Sequence, residues 1–142
     1  MTQKWLVPID GSEIALHSIG WIIRHATEWR EAPQILLINV QPVLPSDIGR
    51  FISADTIREF HLETGMAALA PARDQLTAAG LTPEVHVLVG DPAPTITGFA
   101  ESHACSQILI GTRGHSGLTG TLLGSVAMKV VHLSPVPVLL IR

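Results

Sequence analysis

The sequence has one cysteine, Cys105, in 142 residues. An intrachain disulfide is therefore excluded, and a reducing compartment is a compatible setting. Cys105 sits just before an apolar, strand-like run with no electropositive neighbours in sequence, so it reads as a buried structural thiol rather than a redox centre. Basic runs are also missing. The nine Lys and Arg are scattered, the net charge is −3 and the pI is about 6.1. That balance argues against nucleic acid or an anionic membrane surface as a general partner, since both need a basic patch. No apolar stretch approaches the ~20 residues that span a bilayer. Residues 1–4 lead directly into a short apolar run and Asp10, without the long apolar region and cleavage site of a leader. The expectation is a cytoplasmic protein with no membrane insertion. The seven histidines form neither a His-Glu-x-x-His motif nor a Cys/His cluster. His17 and His25 lie eight apart and His61 is isolated, so no dedicated metal site is expected.

What is present is a rather apolar chain, 46% hydrophobic and 15% charged, long enough to bury a core without staples. Residues 1–142 read as one domain, with no linker, repeat or low-complexity tract. Trp5–Ile9, Gln34–Val40, Thr82–Val89, Gln107–Ile110 and Val136–Ile141 read as strands. Pro8 inside the first requires a bulge or a missing ladder partner near the strand end. Helices are expected over Ser12 to about Trp29, Ala54 to Ala79 with Gly80 closing it, Pro92 to about His103, and Val126–Leu133. Pro71 inside the second is expected to kink it or divide it into two pieces. Strands alternating with helices mean an α/β fold, with an open parallel sheet and helices on both faces.

The segment from Gly111 to Ser125 carries five glycines in fifteen residues, between a strand and a helix start. That order is a recurring anion cradle. Glycine lets backbone approach a phosphate closely, and the free N–H groups and dipole at a helix start favour negative charge. Ser125 reads as an N-cap that also offers a hydroxyl. A P-loop is excluded, because Gly124-Ser125 is followed by Val126 and the nearest lysine is Lys129. A dinucleotide fingerprint is excluded, because no G-x-G occurs anywhere. A kinase loop fails on the same ground and lacks its His-Arg-Asp. What remains is G-x2-G-x9-G-S at Gly111, Gly114, Gly124 and Ser125.

Three segments together resemble a universal stress protein of the ATP-binding type: Leu6 to Glu13, Gly111 to Ser125, and Ser134 to Arg142. They stand in the family's order, and the resemblance covers the whole chain. It implies a Rossmann-like sheet of order 3-2-1-4-5, which makes strands one and four neighbours at the point where the order reverses. Ligands bind outside the carboxyl ends of strands at such a point. Asp10 and Gly111 end those two strands. The resemblance implies an adenine nucleotide there, ATP with magnesium carried by its phosphates. Asp10 would accept from ribose hydroxyls, although an Asx-turn with Gly11 or a cap for the first helix would also explain it. Val40 would pack adenine, where ordinary core is the alternative. Pro8 would line the same crevice. Gly111 and Gly114 would line ribose and the first phosphates, with Thr112 between them in the same stretch. Arg113 and His115 would meet phosphate directly, a solvent-facing side chain being the alternative for each. Gly124, Ser125 and Val126 would hold the terminal phosphates. Gln107 and Met128 depart from the family, which commonly has an aspartate and a charged residue there.

Hydrolysis would need a positioned water and a base, and Asp10 is the only carboxylate that the sequence places near the loop. The expected function is an ATP-binding stress or regulatory protein with little or no turnover. The alternatives are a nucleotide-independent module that regulates a transporter or enzyme through an unidentified protein partner, and a slow ATPase. Residues 136–141 are strongly apolar, carry Pro137 as an edge marker and have no lysine to blunt that edge. A homodimer paired through this strand is expected, and the resemblance implies the same antiparallel contact.

Overall fold

A computed structural model describes residues 2–112 and 123–142. The elements run β1 (Lys4–Pro8), α1 (Leu16–His25), β2 (Gln34–Gln41), α2 (Ala54–Ala78), β3 (Glu84–Val89), α3 (Pro92–Ser102), β4 (Gln107–Gly111), α4 (Ser125–Leu133) and β5 (Val138–Ile141). All strand pairings are parallel, in the order β3-β2-β1-β4-β5. The chain therefore folds as the expected α/β sheet, with helices on both faces.

Alternation along each strand divides the core in two. Trp5 and Val7 of β1 and Ile9 just beyond it meet Ile35 and Leu37 of β2 under Ile19 and Ile22 of α1 and Leu69 and Leu76 of α2. Leu6, Leu36, Ile38, Ile108 and Ile110 face the other way, against Ile96 and Phe99 of α3 and Val130 of α4. Each central strand is buried on both faces, so its sequence is almost continuously apolar. At the amino end of the sheet the three tryptophans gather. Trp5 lies edge-on to Trp29 at 4.7 Å and 6.3 Å from Trp21, which stacks on His25 at 4.3 Å.

Several boundaries differ from the sequence expectation for physical reasons. The first helix spans Leu16–His25 and not Ser12–Trp29: residues 12–15 form turns ahead of it, and residues 26–28 tighten into a 3₁₀ turn. Helix α2 is continuous through Pro71, so the two-piece alternative is not realised. Pro71 is solvent-exposed, where the carbonyl one turn earlier can turn to water. Gly80 takes φ +84° just past the Ala79 cap, and Leu81 N–H reaches back to the Leu76 carbonyl, as a left-handed helix stop requires. Strand β5 begins at Val138 instead of Val136. Ser134 Oγ accepts from Val136 N–H and donates to its carbonyl, making a turn, and Pro137 contributes only its carbonyl, to Ile108 N–H.

Gly65 marks the closest approach of α2 to the sheet. A Cβ there would lie 2.5 and 2.6 Å from the two Val87 methyls and 3.1 Å from Val87 Cβ. Rotating the valine moves one methyl away but leaves the other in contact, and the Cβ contact is unchanged. Gly65→Ala gains about 1 kcal/mol of helix propensity against roughly 1–3 kcal/mol of overpacking. The expected net result is a loss of about 1 kcal/mol in urea unfolding; an unchanged or raised midpoint would contradict this packing.

Candidate functional site

The site begins with a parting of strands. β1 pairs with β2 along its whole length, and Ile9 N–H extends the ladder to the Ile38 carbonyl at 2.8 Å. Against β4 it pairs only at Trp5 and Leu6. Successive residues of a strand face opposite neighbours. With Ile9 bonded toward β2, Pro8 faces β4, and it has no N–H to give. The missing ladder partner expected of Pro8 is thus found where β1 and β4 separate. β4 continues alongside β5 to Gly111, paired with Ile141.

The turn into α1 enters this gap. A Cβ on Gly111 would stand 3.1 Å from the Ile14 carbonyl oxygen, so only glycine passes without displacing that turn. Gly11 holds φ +87° in the same turn and rests near Ala68 of α2. Asp10 Oδ1 accepts from Ser12 N–H at 2.9 Å and from Ser12 Oγ at 2.5 Å, while Ser12 Oγ accepts from Ala15 N–H. The Asx-type turn weighed for Asp10 is therefore real. It fixes a carboxylate at the exposed carboxyl end of β1.

A cavity of about 290 Å³ opens between the parted strands. Pro8, Ile38, Val40, Ile96 and Ile110 make its apolar walls, with Asp10 and Asn39 at polar positions. Its far side is the start of α4, from Gly124 to Ala127. Val40 is half-buried against the second core cluster and also lines the cavity.

The helix start differs by one residue from expectation. Gly124, with φ −60° and ψ 155°, is the N-cap, and its carbonyl accepts the first helical bond from Met128. Ser125 is the first helical residue and makes no side-chain capping bond. Gly124 N–H donates to the Thr112 carbonyl at 2.6 Å, and Thr112 N–H donates to the Ile141 carbonyl at 2.9 Å. The Gly124 N–H thus joins the two ends of the glycine-rich segment and is already committed. The amides at Ser125, Val126 and Ala127 are those that a helix start leaves without intrahelical partners. Arg113, Gly114 and His115 lie outside the described residues.

Asn39 and Gln41 were not singled out in the sequence. Asn39 Nδ2 donates to the Ile9 carbonyl at 2.8 Å, and Gln41 Nε2 donates to Asn39 Oδ1 at 2.6 Å, with both residues buried. This relay holds the end of β1, and so Asp10, beside β2 after the regular ladder stops. The available signal was two amides closing an otherwise apolar strand. Cys105 is buried, and that burial pushes its thiol above the ordinary range, with Lys4 partly opposing the shift. This agrees with a structural thiol. Among the described residues, no group of three or more His, Cys, Asp or Glu is placed to hold a metal, and no helix is long and apolar enough to cross a membrane.

Comparison with known proteins places this geometry among relatives. A model of the universal stress protein family matches residues 1–142. The universal stress protein YxiE of Bacillus subtilis is 32% identical, over 100% of both chains. A universal stress protein solved in complex with cAMP is 24% identical and superposes with a TM-score of 0.72, over 99% of this chain and 97% of the other. A universal stress family protein from Arabidopsis thaliana, solved with AMP bound, is 19% identical with a TM-score of 0.68, over 98% and 90% of the two chains.

Proposed function

The chain belongs to the universal stress protein family, and on that premise we propose that the cavity between β1 and β4 binds ATP and that the protein is a nucleotide-dependent regulator with little or no turnover. The observation that carries this reading is a row of amides at the start of α4, facing Asp10 across an apolar slot. An adenine base suits the slot between Val40 and Ile96. Ribose hydroxyls suit the Asp10 carboxylate. Phosphates suit the amides of Ser125, Val126 and Ala127 and the Ser125 hydroxyl, because a helix start concentrates positive potential there. Gly111, Thr112, Arg113, Gly114 and His115 complete the phosphate path in this reading. The AMP and cAMP bound by the two structural relatives support the nucleotide class, and the longer phosphate chain is our extension. Magnesium would come with ATP, ligated mainly by phosphate oxygens.

Gly124→Val tests the site. Its φ and ψ lie in extended backbone that valine adopts readily, so the fold is kept while a branched side chain enters the cavity. Calorimetry is expected to show ATP affinity falling by about tenfold or more, a change of ~1.4 kcal/mol, with the melting temperature of the nucleotide-free protein little changed. Unaltered affinity in the folded variant would refute the placement.

Weak turnover follows from the scarcity of proton-transfer groups. Asp10 is the one titratable side chain among the described residues that line the cavity, and ribose is its better partner. A cytoplasmic ATP sensor working through a protein partner fits that chemistry better than an ATPase does. Steady-state phosphate release is expected to stay well under the ~1 per second typical of working enzymes; a faster rate would make the protein an ATPase.

We also propose a homodimer through β5. This strand is an edge of the sheet, and Leu140 on it is 37% exposed. Met128, Val131 and Leu133 of α4 are exposed as well. Val138 packs against the second core cluster, so the outward position to alter is Leu140. Leu140→Asp is expected to give monomers by sedimentation at micromolar concentration where the wild type sediments as a dimer. A monomeric wild type would rule the contact out.

A further inference from the structure

A second cavity, about 540 Å³, opens at the carboxyl ends of β2 and β3. Among the described residues, it shares none of its lining with the first. The connection between β2 and α2 supplies one wall with Val43 and Leu44, α2 supplies Ile57 and Leu62, and the edge strand supplies Val87 and Val89. Among the described residues, Arg58 is the only charged one lining it, beside His61 and Ser46.

His61 is anomalous where it stands. The buried side of α2 reads His61, Gly65, Leu69, Ala72, Leu76, so one imidazole ends a stripe that is otherwise free of polar side chains. The residue is only 6% exposed, and its Nε2 is buried with no hydrogen-bond partner. Buried polar atoms are nearly always paired, and an unpaired one beside a cavity marks a place for a polar atom from outside the chain. Arg58 lies one turn earlier on the same helix. Its ion pair with Asp55, 3.5 Å long between side chains 79% and 85% exposed, is of the kind that contributes little and exchanges readily.

We propose that this second cavity binds a small amphiphilic carboxylic acid. The apolar body lies against Val43, Leu44, Val87 and Val89. The carboxylate meets the Arg58 guanidinium, and rotation of the His61 ring turns its unpaired N–H toward it. Apolar walls disfavour a phosphate or sugar, and a neutral alcohol would leave Arg58 unused. The site stands apart from the nucleotide reading and does not depend on it.

The test is a ¹⁵N–¹H NMR titration of the full chain with sodium octanoate, with 1-octanol as the neutral counterpart. Octanoate is expected to bind saturably, with shifts centred on residues 43–62 and 87–89. Octanol is expected to bind about tenfold more weakly, the order of one charge-assisted hydrogen bond. Arg58→Gln, on an exposed helix position, should erase the preference for octanoate. His61→Leu, which continues the apolar stripe and keeps the fold, should lower octanoate affinity several-fold and leave octanol unchanged. Absence of saturable octanoate binding, equal affinity for the two probes in the wild type, or shifts centred on Pro8, Val40 and Ile96 would each overturn the proposal. So would a preference for octanoate that survives both substitutions.

Discussion

The constraint on which the rest depends is the missing N–H of Pro8. A parallel sheet tends to stay closed along its length, because each ladder bond favours the next. Here the β1–β4 ladder stops after Leu6, and the residue that would continue it toward β4 cannot donate. β1 is held to β2 by Ile9 and by the Asn39–Gln41 relay, while β4 follows β5. The gap admits the turn that carries Asp10 and Gly11, and a side chain at position 111 would have to push that turn aside by a few tenths of an ångström. The cavity is thus a product of backbone chemistry at the one place where the strand order reverses.

Much of the architecture was legible in the sequence because its signals are redundant. Double-sided burial wrote apolar runs into Leu6–Ile9, Ile35–Ile38 and Ile108–Ile110, and the alternation of such runs with helices is the pattern of a parallel α/β sheet. Gly80 announced the end of α2 through a backbone conformation that few residues other than glycine adopt. Pro71 divides nothing: the helix runs through it, with the proline on the exposed face, so the two-piece expectation fails.

The site was less legible, and the reason is one of offset. The glycine-rich segment does lie between β4 and α4, but a serine after a glycine reads as a cap whichever residue actually leaves the helical conformation. The structure moves the cap to Gly124 and commits its N–H to Thr112. The amides available to an anion are therefore those of the following three residues. Asn39 and Gln41 were invisible for a different reason: their importance lies in whom they bond across the sheet, not in any spacing along the chain. His61, isolated in sequence, gains meaning only from the stripe it terminates.

The tryptophan cluster has a consequence for how this molecule can be watched. Trp5, Trp21 and Trp29 all gather at the amino end of the sheet, while both cavities open at the carboxyl end and neither is lined by a tryptophan. The chain contains no tyrosine, so its ultraviolet emission comes almost wholly from that one corner. A ligand in either cavity touches no emitter. Once absorption of the exciting light by the ligand is corrected for, a change in emission on adding one must travel the length of the strands. Intrinsic fluorescence is therefore a gauge of how rigidly the sheet couples its two ends, and a flat signal would leave occupancy itself to be read by other means.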